Sequence, residues 1–490
     1  MLCIAVRGPS FEEAYQQIIE ASQTADIIEL RLDYFEKSCL EKIQTLKSLC
    51  SSPFIFTLRS IEQGGHFLGT EEERLSIIES LLSHKPEFID LEYNVPPAFA
   101  QRLMKNHPSV KIIVSFHDFE KSPKNYNAIL NKMKKLPANY YKIASTSRSS
   151  LEAMHLLHFT KTSKTPLISI SMGEKGIFTR IVAPIFGSFI TYSSLADKQN
   201  TAPGQLSSHI LTEVYRCRSL TEKSSIYGLI GSPIHKSISE YTHNAVFSFF
   251  KIDAAYIKME VEPEEIPSFL LYAKKLNIKG LSVTMPLKEQ LLRHIDVIDS
   301  PAKNIGAINT ILFKKNELIG YNTDGKGSLD ALEEKIAVKG KKIVVIGSGG
   351  AAKAFIYEAI QRGAEVIILN RNEKKAKDLA LQMCCLGDSL DAMETQYLNH
   401  YDILVNATPN PLPINPKWII PQSFVMDFTT KPKKTKLLME AHKKGCTLIY
   451  GYKMFIHQAI AQFSLWFGEQ FPPREIKKIL EKEAEKILGI

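Results

Sequence analysis

Short apolar runs recur along the first 217 residues, and the segments between them carry their apolar positions at helical spacing. The runs are "CIAVR" (3–7), "DIIELRLD" (26–33), "FIFTLRS" (54–60), "FIDLEY" (88–93), "KIIVSFHD" (111–118), "YYKIAST" (140–146), "PLISISM" (166–172) and "FITYSSL" (189–195). "SFEEAYQQIIEASQ" (10–23) and "TEEERLSIIESLLS" (70–83) are amphipathic segments between them. Strand and helix in alternation predict a parallel sheet. Eight such repeats in about 215 residues predict a compact (β/α)8 barrel, with a doubly wound open sheet as the alternative.

The pattern breaks at "YRCRSLTEKSSIYG" (215–228), where charged and small polar residues read as a linker. New runs follow in "IYGLIGSPIHKSISEYTHNAVF" (226–247), "KGLSVTMPLKE" (279–289), "NIGAINTILF" (304–313) and "GYNTDGKG" (320–327). "KKIVVIGSGGAAKAF" (341–355) is then an apolar strand, a turn running Gly347–Ser348–Gly349–Gly350–Ala351–Ala352, and a helix. Glycines in that context let the backbone approach a pyrophosphate at the helix N-terminus. The next strand, "EVIILNRN" (365–372), ends in Asn370 and Arg371. An acidic residue there would accept from the ribose 2′-hydroxyl of NAD, whereas Arg371 offers a cation to the 2′-phosphate of NADP.

Composition narrows the setting. A chain of 490 residues predicts two to four domains at ~100–200 residues each. The net charge of +9 is spread over scattered Lys and Arg with only short runs such as "KPKKTK" (431–436), which suits small anionic ligands and argues against nucleic acid. Seven cysteines without a CxxC pair or zinc spacing point to a reducing compartment with no disulfide framework and no metal. "MLCIAVRG" is too short an apolar start for a signal peptide, and no run approaches the ~18 residues of a membrane span, so a cytoplasmic protein is expected.

Polar residues inside the strand runs carry the candidate chemistry. Glu29, Arg31 and Asp33 alternate and share a face, and Arg59, Asp90, Glu92, His117 and Lys142 fall near the C-terminal ends of successive strands, where barrel enzymes build their sites. A buried salt bridge would account for Glu29 or Asp90 alone, but charge from many strands at one end is costly without a function. Lys142, flanked by apolar residues, is either a snorkelling lysine or a desolvated amine able to attack a ketone. His117 suits the base that would then remove the acidified proton. In the second half, Ser237 and Ser239 either form the turn or grip a carboxylate. Lys288 and Asp324 are far apart, with nothing local to link them.

"ELRLD", "TLRS", "SFHDF", "YYKIAS", "SMGEKGIFTRI" and "TAPGQ" (201–205), in that order, resemble the type I 3-dehydroquinate dehydratase family across residues 1–217. The resemblance implies a Schiff base on Lys142 with the C3 ketone of 3-dehydroquinate and His117 as the C2 base. It implies that Arg180, Thr201 and Gln205 hold the substrate carboxylate and that Glu29, Arg31 and Arg59 hold ring hydroxyls. The family's Glu before Gly-Gly is Gln63 here, with Glu62 one place earlier, and its Ser before Ala-Pro-Gly-Gln is Thr201.

Residues 225–490 resemble shikimate dehydrogenase through "IGSPI…S-x-S", "SVTMPLK", "IGAINT", "NTDG", "GSGGAAKA", "NR", "VNATP" (405–409) and "GYKMFIHQA" (451–459). That resemblance implies a Lys288–Asp324 dyad, carboxylate binding by Ser237 and Ser239, and hydroxyl binding by Thr284, Asn309 and Gln458. It implies NADP(H) at Gly347, Ser348, Gly349, Gly350, Ala351, Asn370, Arg371, Thr408 and Gly451. Departures are Lys236 before Ser237, Glu240 in place of a proline and Thr430 in place of a tyrosine, while Ser282 replaces an Asn common in bacterial members.

The fold expected is therefore a (β/α)8 TIM barrel over 1–217, a linker over 218–224, an α/β substrate lobe over 225–325, a Rossmann NADP-binding lobe over 326–450 and a closing helical segment over 451–490. The order resembles the fused enzyme in which 3-dehydroshikimate from the first half is reduced by the second. The alternatives are a non-catalytic metabolite sensor of the same architecture and a quinate/shikimate dehydrogenase using NAD.

Overall fold

A computed structural model describes residues 1–196, 201–315, 317–398 and 400–489. Contacts divide the chain into two compact units: 1–226 with 253–261 and 268–277, and 227–252 with 262–267 and 278–490.

In the first unit every predicted run forms a strand: β1 (Leu2–Val6), β2 (Ile27–Arg31), β3 (Phe54–Thr57), β4 (Phe88–Glu92), β5 (Lys111–Asp118), β6 (Tyr140–Thr146), β7 (Leu167–Met172) and β8 (Thr191–Ser193). They lie in the order β7-β6-β5-β4-β3-β2-β1-β8, and Phe189 N–H donates to Leu167 O at 3.0 Å between the two end strands, closing the barrel. Strand alternation sorts the side chains. Ile4, Ile28, Leu30 and Phe56 pack outward under the helices, while Cys3, Ile27, Ile55, Ile113, Ile168 and Ile190 fill the interior. Glu29 and Arg31 follow Ile27 at intervals of two, so they share its inward face above this apolar floor.

Local chemistry sets the helix starts. Ser10 accepts from Glu13 N–H to begin the helix Phe11–Ser22, and Thr70 and Glu73 form a reciprocal capping box on Glu71–Leu81, each cap contributing about 1 kcal/mol. Several strands stop short of their runs, and in β2 and β3 this moves candidate residues. Chain pairing ends at Thr57, so Arg59 sits on the following turn, and Asp33 lies on a single 3-10 turn after Arg31 rather than along the strand.

The second sheet comprises β9 (Ser225–Gly231), β10 (Ala254–Glu260), β11 (Ile278–Val283), β12 (Val297–Ile298), β13 (Thr310–Lys314) and β14 (Glu317–Tyr321), in the order β10-β9-β11-β13-β14-β12. The third comprises β15 (Lys342–Ile346), β16 (Glu365–Asn370), β17 (Leu386–Ser389), β18 (Ile403–Asn406), β19 (Phe424–Asp427) and β20 (Thr447–Tyr450). Its parallel order β17-β16-β15-β18-β19-β20 reverses direction between β15 and β18, which opens a crevice at their carboxyl ends. Among the described residues no helix is long and apolar enough to cross a membrane.

Candidate active sites

The barrel interior changes from apolar to charged toward the strand C-termini. Lys142 Nζ on β6 is 5% exposed as a residue and lies 3.3 Å from Asp90 Oδ2, 3.7 Å from Glu29 Oε1 and 4.2 Å from the centroid of the Tyr192 ring. The sequence foresaw apolar flanks around this lysine; the two carboxylates come from β4 and β2, strands that do not adjoin β6 and that only the closed sheet brings to it. Arg59 Nη2 reaches Asp90 Oδ2 at 2.9 Å, and its Nη1 donates to Ser115 Oγ at 2.8 Å. Burial alone would raise the Asp90 carboxyl, but Arg59 and then Lys142 hold it below the usual carboxylate range. Thr57 Oγ1 donates to Glu29 Oε1 at 2.9 Å, and Arg31 makes a two-pronged bond to Asp33 at 2.9 and 2.8 Å.

His117, near the end of β5, is driven well below the ordinary histidine range by burial first and then by the cations Arg59, Lys142 and Arg31. Its imidazole is therefore neutral near pH 7, the state a base requires. Arg180 forms no ion pair among the described residues; there its guanidinium hydrogen-bonds only the Tyr192 and Pro203 carbonyls, at 3.5 and 3.4 Å, and burial pushes it down to about 10. A buried guanidinium without a carboxylate is a receptor for an anion. Thr201 donates through its backbone N–H and hydroxyl to Gln205 Oε1 at 2.7 and 3.1 Å. Glu29, Arg31, Arg59, His117, Lys142, Arg180, Thr201 and Gln205 all line one pocket.

In the second unit Lys288 and Asp324 meet despite their separation: Nζ donates to Oδ2 at 2.5 Å. Asp324 opens the helix Asp324–Glu333, and its other oxygen accepts from Asn309 Nδ2 at 2.8 Å. The same amide lies 2.9 Å from Thr323 Oγ1 and 3.4 Å from Gln458 Oε1. Behind it, Thr310 Oγ1 donates to Asn309 Oδ1 at 2.8 Å, and Gln462 Nε2 donates to Thr310 Oγ1 at 2.9 Å. The hydroxyls of Ser237 and Ser239 bond to each other at 2.8 Å rather than to that network. Thr284 packs against Gly231, where an added Cβ would lie 2.4 Å from its Cγ2.

The predicted nucleotide turn occupies the crevice between β15 and β18. Gly347 has φ +113°, a conformation that favours glycine, and an added Cβ would lie 2.9 Å from Thr408 Cγ2. Gly349 caps the helix Gly350–Gln361 and has no heavy atom within 4 Å of where its Cβ would stand. That bare approach to a helix N-terminus fits a pyrophosphate. Ala351 continues that helix, Asn370 Nδ2 donates to Ser348 Oγ at 2.7 Å, and Arg371 is exposed just beyond β16. Gly451 starts the helix Gly451–Phe467 so close to Thr429 O that a Cβ would lie 2.5 Å from it. A Cβ on Gly350 would lie 3.8 Å from Lys288 Cβ, so this turn adjoins the lysine.

Sequence reasoning left Ser115, Thr310, Thr323 and Gln462 out of the site. Thr323 was detectable inside "NTDG", beside Asp324; the others lie behind the groups they orient and carry no local signal. Among the described residues no group of three or more His, Cys, Asp or Glu side chains could hold a metal ion.

Four family models match the chain: Type I 3-dehydroquinase over residues 2–222, Shikimate dehydrogenase substrate binding domain over 229–311, Shikimate / quinate 5-dehydrogenase over 330–439 and Shikimate 5'-dehydrogenase C-terminal domain over 451–481. The shikimate biosynthesis protein AroDE of Chlamydia pneumoniae is 36% identical over 474 residues, covering 96% of each chain. The chloroplastic bifunctional 3-dehydroquinate dehydratase/shikimate dehydrogenase of Arabidopsis thaliana is 31% identical over 98% of this chain and 84% of its own. A crystal structure of a shikimate dehydrogenase in complex with NADP+ superimposes with a TM-score of 0.50 at 34% identity, over 54% of this chain and 97% of its own. With 36% and 31% identity to such relatives over nearly its whole length and both halves matched, the chain belongs to the family of bifunctional type I 3-dehydroquinate dehydratase/shikimate dehydrogenases.

Proposed function

We propose that the chain dehydrates 3-dehydroquinate in the barrel pocket and reduces the product, 3-dehydroshikimate, to shikimate with NADPH in the second unit. The observation that carries this reading is a contrast between two lysines. Lys142 is sunk in a closed barrel among charges and an aromatic face, whereas Lys288 is hydrogen-bonded to one carboxylate beside a nucleotide turn. The first setting suits a nucleophile and the second a proton donor.

In the barrel, Lys142 Nζ adds to the C3 ketone and loss of water leaves an iminium. Asp90 and Glu29, both within 4 Å of Nζ, offset its positive charge. Neutral His117 takes the C2 proton, leaving an enamine. Those electrons expel the C1 hydroxyl, to which His117 returns its proton so that water departs. Water then hydrolyses the iminium, freeing 3-dehydroshikimate and Lys142. Arg180, Thr201 and Gln205 hold the carboxylate, and Glu29, Arg31 and Arg59 hold the hydroxyls.

In the second unit the turn from Gly347 to Ala351, with Asn370, Arg371, Thr408 and Gly451, holds NADPH, which supplies a hydride to the ketone when bound. Lys288 gives the carbonyl oxygen its proton, and Asp324, itself fixed by Asn309, aims the ammonium. Ser237 and Ser239 open their mutual bond to take the carboxylate; Thr284, Asn309 and Gln458 take the hydroxyls. The seven cysteines are all free thiols, which suits a cytoplasmic setting.

The test is to supply 3-dehydroquinate with NADPH. Shikimate should appear as NADPH disappears, in equal amounts. A folded chain that consumes neither, and that leaves added 3-dehydroshikimate untouched, would overturn the reading.

A further inference from the structure

Arg74 is among the largest fully buried side chains of the molecule, with 1% of its surface exposed, yet it lies on the helix Glu71–Leu81, outside the pocket. Burying a guanidinium is costly, so what it holds matters. Nε and Nη2 pair with Glu71 on the same helix at 2.8 and 2.7 Å; inward, Nη1 donates to the Leu58 carbonyl at 3.1 Å and Nη2 also stands 3.4 Å from Glu92 Oε2. Glu92, also 1% exposed, accepts from Ser60 N–H and from Ser60 Oγ, both at 2.8 Å. Residues 58 and 60 are thus both gripped, and Arg59 lies between them.

Arg59 needs that grip because β3 ends at Thr57 and no strand ladder fixes it. Its guanidinium must still meet Asp90, Ser115 and, at 3.8 Å, Glu92 Oε1. The turn beyond is equally tight: Gly65 N–H donates to Ser60 O at 2.7 Å, and a Cβ on Gly65 would lie 2.2 Å from Arg59 O. The same turn presents Gln63, whose Oε1 accepts from His117 N–H at 3.0 Å.

We infer that Arg74 is a positioning residue of the dehydratase site, acting through Glu92 and Ser60 to hold Arg59 at the substrate. The inference rests on the barrel assignment above. It has its own failure mode, because the unaltered chain must first dehydrate 3-dehydroquinate.

The test compares Arg74→Met, Arg74→Lys and Ser60→Ala in the full-length chain, with NADPH-dependent reduction of added 3-dehydroshikimate followed in each preparation. A displaced Arg59 weakens ground-state binding, so KM for 3-dehydroquinate should rise about tenfold in Arg74→Met, with kcat changed less. Arg74→Lys keeps a cation for Glu92 and should recover part of that loss. Ser60→Ala removes the hydroxyl's bond to Glu92 and leaves the backbone N–H bond, stranding no buried charge, and should raise KM about threefold even if Arg74→Met fails to fold. A purely structural arginine predicts something else: a lower melting temperature and a kcat reduced with the folded fraction, at unchanged KM. Unchanged KM in Arg74→Lys and Ser60→Ala would overturn the inference. Absence of dehydration in the unaltered chain would instead overturn the site assignment beneath it.

Discussion

The backbone N–H of His117 donates to Gln63 Oε1 at 3.0 Å, while the ring Nδ1 of the same histidine is buried without a hydrogen-bond partner among the described residues. Gln63 thus fixes the main chain that carries the base and lends it no negative charge. Burial first, and then the charges of Arg59, Lys142 and Arg31, hold the imidazole well below the ordinary histidine range.

Gln63→Glu should reverse part of that. A carboxylate beside His117 stabilises the imidazolium and raises the pKa of the base. Because the base works unprotonated, the acidic limb of kcat/KM for dehydration should move to higher pH. An unmoved limb would show that the side chain at position 63 acts only through the backbone of His117.

Lys142→Ala should abolish dehydration and leave reduction of supplied 3-dehydroshikimate near the unaltered rate, since Lys288 and Asp324 belong to the other compact unit. Borohydride with 3-dehydroquinate should fix an adduct on Lys142, because reduction makes an iminium permanent. Peptide mapping that places the adduct elsewhere would rule out the lysine mechanism.

The barrel was legible because its signal is local. Strand alternation fixes which side chains face inward, so Glu29, Arg31 and Lys142 declared themselves against apolar neighbours. What stayed hidden depends on distant pairings. Asp90 meets Lys142 only when β4, β5 and β6 lie in register, and Arg74 looks like one more charge on an amphipathic helix. Ser237 and Ser239 were correctly seen as neighbours, but their mutual bond depends on hydroxyl orientation, which spacing does not report. Asn309 to Asp324 is a loop-to-helix contact whose partners become neighbours only after the sheet has formed.

His243, fully buried against Phe463 and Trp466 with Nδ1 3.0 Å from Ser239 O, is pushed down to about 4 by burial. An unfolded histidine takes a proton below about 6.5, the folded one only near 4, so the unfolded state binds more protons between those values. Stability should be complete above 6.5 and fall by on the order of 3 kcal/mol as the pH drops toward 4. Thermal inactivation of the reductase at pH 7 and pH 5 should show that gap, and His243→Gln should narrow it. An equal gap in the variant would assign the acid sensitivity to other groups.

Gly327 faces the helix Gly451–Phe467 so closely that a Cβ would lie 2.5 Å from the backbone nitrogen of Gln458. Gly327→Ala should force those helices apart, costing about 1–3 kcal/mol and moving Gln458 from Asn309 and Thr323. Reductase KM for 3-dehydroshikimate should rise along with the fall in melting temperature. A lower melting temperature with KM unchanged would mean that Gln458 does not contact substrate.

Arg371 is exposed at the end of β16, across the turn that Asn370 ties to Ser348. A guanidinium there can make charge-assisted bonds to a 2′-phosphate that NADH lacks. Arg371→Ala should therefore weaken NADPH by ~1.5–3 kcal/mol, the range for a hydrogen bond to a charged group, and barely alter NADH. Lys374 and Lys375, exposed in the first turn of the helix Glu373–Met383, can share the phosphate and would bring the loss toward the lower end. The measurement is kcat/KM for each cofactor with 3-dehydroshikimate as substrate. Loss confined to NADPH identifies Arg371 as the reader of the phosphate. Equal loss with both cofactors would show that it supports the turn beneath them, and selectivity for NADP would then have to come from the two lysines.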